Sequence, residues 1–179
     1  MGRERHTQFT TLFLVLTAAA LLVAVGCYKN KNALAPRDAA TIDRALAGDW
    51  QGKMPDGATA RVVVRVLNDR DYYIEWQGEG DEKPARAIAY IVDFAGAKFA
   101  HLRDLNPDGT IADEHWLMRV ELADNKLIVR QLMEEFFTGK TVDSADQLRE
   151  VVRANVNNDA MYDASETLTA TRQDAVAGQ

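Results

Sequence analysis

Cysteine occurs once in the 179 residues, at Cys27. A lone thiol closes no disulfide within the chain and builds no cysteine metal cluster, so the folded part must hold itself together by its core. Histidine is almost as scarce, with His6, His101 and His115 the three copies. Positive charge is in deficit: 21 Lys and Arg stand against 27 Asp and Glu, a net charge of −6. A surface this acidic does not seek nucleic acid, whose phosphates need a basic patch.

What the chain does have begins at its N-terminus. Arg3 and Arg5 outweigh Glu4 ahead of an uncharged run from Phe9 to Gly26, densest from Leu12 to Val25. A basic start followed by an apolar stretch is the layout of an export signal, although a run of this length also suffices to span a bilayer uncleaved. Ala24-Val25-Gly26-Cys27 separates the two readings, because it resembles the lipobox of bacterial lipoprotein precursors, with small residues before an invariant cysteine; Ala24 stands where that family prefers leucine. The resemblance implies cleavage after Gly26, diacylglycerol on the sulfur of Cys27 and usually a third chain on the new amine. One acyl chain holds a protein only marginally and two or three hold it stably, each buried methylene adding roughly 0.8 kcal/mol. Residues 1–26 are then a signal peptide, and a membrane is the expected partner through the lipid. The resemblance implies that the rest of the chain lies outside the cytoplasm, and Tyr28 rather than an aspartate after the cysteine resembles the pattern that diderm bacteria route to the outer membrane, so its periplasmic face is the expected location. Without Arg3, Glu4 and Arg5, the basic and acidic totals fall to 19 and 26, a net charge of −7.

Residues 28–37, YKNKNALAPR, are polar and lack apolar periodicity, which reads as a tether from the lipidated Cys27 to a single domain over residues 38–174. Asp38 is placed to cap a short helix from Ala39 to Ala47, with Ile42 and Leu46 one turn apart and Gly48 as its stop. Beyond it the pattern becomes strand-like. In ATARVVVRVL (58–67) Val62, Val64 and Val66 share a face, and in DYYIEWQ (71–77) Tyr72, Ile74 and Trp76 do. RAIAYIVDF (86–94), AKFAHLRDL (97–105), HWLMRVEL (115–122) and KLIVRQLM (126–133) follow, separated by turn signals such as NDRD, AG, NPDG and ADN. The fold class is therefore mainly β, an antiparallel meander or small barrel, with closure of about seven strands expected because a sheet with one apolar face must curl or be covered. Ser144 and Gln147 form a capping box, and Leu148, Val151 and Val152 line one stripe of a C-terminal helix that should cover a sheet face or a barrel end. A brief strand around Met161 and Tyr162, a helical turn capped by Ser165 and a frayed tail over 175–179 complete the expected order.

LAGDWQG (46–52) resembles the Gly-x-Trp signature that opens the first strand of lipocalin-type barrels, with Gly48 and Trp50 in the signature positions. That resemblance implies that Trp50 plugs the closed end of the barrel, stacked on an arginine from a late strand, Arg119 or Arg130. Residues 46–172 together resemble a group of bacterial lipoproteins with this order of elements, His115 and Ser165-Glu166-Thr167-Leu168 taking the matching positions. The group carries no assigned activity, so the resemblance bears on fold and leaves function open.

The sharpest chemical pattern is DLNPDGTIADEH (104–115). Asp104, Asn106 and Asp108 followed by Gly109 have the spacing at which alternate side-chain oxygens converge on calcium. The last position of such a loop should be a bidentate glutamate and is His115, and the same P-D-G triplet recurs in MPDG (54–57) with no ligands around it. Proline, aspartate and glycine in that order build a turn, so a hairpin is the expected structure, with calcium the one cofactor in view and none required. His101 and His115 lie outside any serine elbow and read as strand residues with satisfied hydrogen bonds, while Glu134-Glu135 beside Phe136 and Phe137 read as a strand leaving the sheet. No residue is assigned a catalytic role. The expected function is non-enzymatic, a lipid-anchored envelope lipoprotein with a structural or interaction role and an envelope protein as partner. The alternative is a barrel that binds a small apolar ligand. Its aromatic and methionine store, Tyr72, Tyr73, Trp76, Tyr90, Phe94, Phe99, Trp116, Met118, Met133, Phe136 and Phe137, either lines a cavity or fills the interior, and filling is the plainer expectation.

Overall fold

The computed structural model describes residues 28–173. Residues 1–26, read as a signal peptide, Cys27 and the tail expected to fray over 175–179 lie outside the described residues. Nine strands form in chain order: β1 (Lys29–Asn30), β2 (Gly48–Lys53), β3 (Thr59–Val66), β4 (Asp71–Gly78), β5 (Ala85–Phe94), β6 (Ala97–Asp104), β7 (His115–Ala123), β8 (Lys126–Leu132) and β9 (Tyr162–Arg172). From β2 onward each strand pairs antiparallel with the next, and β9 returns to pair with β2, so eight strands close into a lipocalin-like barrel. Two hairpins turn on two residues each, Ala95-Gly96 at φ 51° and 80° and Asp124-Asn125 at φ 50° and 61°. Positive φ at both positions matches the right-handed twist of the flanking strands.

Closure rests on one glycine. Gly52 pairs with Ala170, and a Cβ there would stand 2.2 Å from the Thr169 carbonyl oxygen and 2.6 Å from the Ala170 Cα. Only a residue without a side chain lets β2 approach β9 this closely.

Alternation along the strands sorts side chains into two cores. Leu46, Trp50, Val62, Val64, Tyr72, Ile91, Val120, Leu127 and Leu168 face the barrel interior. Tyr90, Val92, Phe99, Leu117 and Leu132 point outward and are covered by two helices, α1 (Glu134–Phe137) and α2 (Ala145–Asn155). Ser144 and Gln147 make the capping box of α2, and its Leu148 and Val152 are fully buried against the outer face of the sheet. The covering helix thus takes a sheet face rather than a barrel end.

Four expectations are corrected. The helix expected over Ala39–Ala47 is two single 3-10 turns, Arg37–Ala39 and Arg44–Leu46. Asp38 caps neither; Asp43 caps the second, and the Tyr72 hydroxyl takes up the Asp43 N–H at 2.6 Å and donates to the Asp43 carbonyl at 3.1 Å, diverting groups a helix would need. The polar segment 28–37 is a docked strap and not a loose tether: Tyr28 stacks on Phe137 at 4.0 Å, β1 pairs with β7, and Leu34 is fully buried. Arg37 grips Asp71 with both ends of its guanidinium, Nε to Oδ1 at 2.7 Å, and this bond, helped by Asn68, holds the Asp71 carboxyl below its ordinary range. Glu134 to Phe137 is a helical turn, not a departing strand. Finally, Ser165 caps no helix; it lies inside β9, the 11-residue strand that closes the barrel.

Candidate functional site

The barrel is hollow. A cavity of about 320 Å³ runs through it, walled by Val62, Val64, Ile74, Ala87, Ile91, Ala100, Leu102, Met118 and Val129. The expectation of a filled interior fails for a reason visible in the sorting of side chains. Tyr90, Phe99 and Phe137 are spent on the outer core beneath the helices, while β5 and β6 turn Ala87, Ala89 and Ala100 inward. Small residues facing across a barrel of this strand number leave room for one small ligand.

The cavity has a floor and a mouth. Leu46 and Tyr72 are fully buried at one end, beside Trp50, whose indole Nε1 donates to the Leu46 carbonyl at 3.0 Å. Trp50, read as a plug from the Gly-x-Trp signature, is fully buried at this end. Its cation is Arg172 at the end of β9, 4.4 Å from the ring centre, and neither Arg119 nor Arg130. Arg172 is tied to the carbonyls of Ala45 and Ala47, and a Cβ on Gly48 would press against its guanidinium at 2.5 Å. Arg119 and Arg130 point to the outer face, where they flank the Tyr162 ring at 5.8 and 4.3 Å; Arg119 also donates to the Val156 carbonyl and Arg130 to Asp159. The stacking arginine was missed because its strand was.

At the other end the lining turns half-exposed and polar: Trp76, Ala85, Arg86, Asp104, Trp116 and Glu166. Here lies the stretch read as a calcium pattern. Asn106 to Thr110 is a hairpin turn, closed by hydrogen bonds between Asn106 and Thr110 at 2.9 Å with Gly109 at φ 86°. Asp108 accepts from the Thr110 N–H and hydroxyl, which pull its carboxyl below the ordinary range. The Asp104 carboxylate instead receives the Trp116 indole at 3.0 Å and Lys29 at 3.1 Å. Among the described residues no group of three or more His, Cys, Asp or Glu is arranged to hold a metal.

The two histidines meet on the outer face. His101 is fully buried, stacked on Tyr90 at 4.6 Å, with the His115 ring edge-on at 5.5 Å. Neither His101 nitrogen has a hydrogen-bond partner among the described residues, a correction to the satisfied strand histidine expected. Burial, then the neighbouring His115, pushes His101 down to about 3, and burial, then Arg103, lowers His115. Burial also pushes the Tyr90 hydroxyl up to about 12.

Compared with known proteins, the chain matches no family model, no curated protein and no solved structure.

Proposed function

We propose that the protein is a lipid-anchored binding protein of the bacterial envelope that takes a small apolar ligand into its barrel. The hollow interior carries this reading and moves it ahead of a purely structural role. Native interiors are close-packed with few voids larger than a water, whereas ligand sites are concave, apolar and furnished with a few polar groups at one end. This cavity has that character, with aliphatic walls, an aromatic floor and tryptophans at the mouth.

The anchor fits the same picture. Tyr28, the residue that follows Cys27, is already docked on Phe137, and Lys29 lies 4.0 Å over the Trp116 ring at the mouth. Lipid on Cys27 would therefore hold the open end of the barrel close to the bilayer in which an apolar ligand dissolves. Mass spectrometry of the mature N-terminus tests the lipid; an unprocessed chain beginning at Met1 would overturn it. Titration with octane or n-octanol tests the cavity: binding should alter the fluorescence of Trp76 and Trp116 and raise the melting temperature. A flat titration on both readouts would remove the binding role.

A further inference from the structure

Gln131 is the polar residue out of place in the barrel. It follows Leu127 and Val129 on the inner face of β8, lies opposite Met118 of β7, lines the cavity and is 6 % exposed. Its Nε2 donor is shut off from solvent and makes no hydrogen bond among the described residues. Buried donors are rarely left so, because losing water without gaining a partner is unfavourable.

The wall beside Gln131 is irregular too. β8 pairs with β9 at Arg130 and Thr167 and next at Leu132 and Tyr162, so Asp163 to Glu166 stand outside the regular ladder. The buried Asp163 carboxylate fixes this bulge by accepting from the Ser165 N–H at 2.8 Å and its hydroxyl at 2.5 Å. Bulges redirect side chains beside functional sites. This one presents Glu166 to the same cavity.

We infer that Gln131 is the polar contact of the ligand, and that the ligand is a neutral amphiphile whose polar group accepts a hydrogen bond, an alcohol being the simplest. The inference rests on the barrel binding an apolar ligand at all. A plain hydrocarbon leaves the amide unpaired, while a hydroxyl or carbonyl oxygen completes it, and the terminal amide torsion is soft enough to bring Nε2 round without moving β8. A carboxylate could also accept, but it would meet the carboxylate of Glu166, which has no salt-bridge partner among the described residues; Arg86, the cation of the lining, is engaged with Glu75 at 3.5 Å.

The test is displacement of Nile red from the chain beginning at residue 27, carrying Cys27→Ser so that no detergent is needed, by octane, n-octanol and octanoate. Octanol should compete at roughly fivefold lower concentration than the other two, the ratio that one net hydrogen bond supplies. Gln131→Met should erase that advantage, so that octane and octanol compete equally, and Glu166→Gln should bring octanoate toward octanol. Equal competition by octane and octanol in the unsubstituted cavity, or a preference that survives Gln131→Met, overturns the assignment. The three-ligand comparison itself needs no cavity variant, so a Gln131→Met chain that failed to fold would not shield the inference. Failure of Nile red and all three compounds to bind is a different result, which sinks the binding role itself.

Discussion

At the scale of the residue, His101 ties the outer core to pH. Its folded value of about 3 lies below the roughly 6.5 of an exposed imidazole, so between those values the unfolded chain binds a proton that the folded chain refuses. The stability this residue allows is complete above about pH 6.5 and falls as the solution is acidified, by roughly 3 kcal/mol at about pH 4. Asp71, held low by Arg37, adds its own loss only below about pH 4. His101→Phe keeps a ring against Tyr90 and removes two unpaired nitrogens. Its urea midpoint should equal or exceed that of the native protein near pH 7 and fall less steeply toward pH 4; parallel declines would disprove the link.

At the scale of the element, the seam between β2 and β9 depends on Gly52. Gly52→Ala drives a methyl into backbone atoms of β9, and because those atoms are not the tip of a flexible side chain the strands must part. A loss of about 2–3 kcal/mol, within the range for overpacking, should appear in urea unfolding together with faster amide exchange along β9. Unchanged exchange would place the close approach elsewhere. Six of the barrel strands were legible in the sequence to within a residue or two, since a barrel wall has unlike faces and Val62, Val64, Tyr72, Ile74 and Trp76 repeat on every second position. β9 was not, because its inward residues, Leu168 and Ala170, are few and small and its outward ones are Thr167, Thr169 and Thr171; the β-branched threonines were the available signal. Arg172 was lost with it, and the cavity was illegible because sequence alone does not say which aromatics point outward. The strap was misread since its polar residues conceal two buried ones, Tyr28 and Leu34.

At the scale of the whole molecule, the lipid anchor proposed above would make the strap set how the barrel sits on a membrane. Lipid-headgroup quenchers should dim Trp76 and Trp116 in the acylated protein on vesicles, and a flexible spacer of about ten Gly and Ser residues between Cys27 and Tyr28 should relieve that quenching. Equal quenching with and without the spacer would show that the mouth is not presented to the bilayer. The pairing of Gln51 with Thr171 reaches across 120 positions. A growing polypeptide therefore carries an unzipped cylinder, its first edge strand unprotected, until the final ribbon has emerged. Premature chain termination anywhere before β9 would leave a sticky open sheet with two bare edges in place of a shortened vessel.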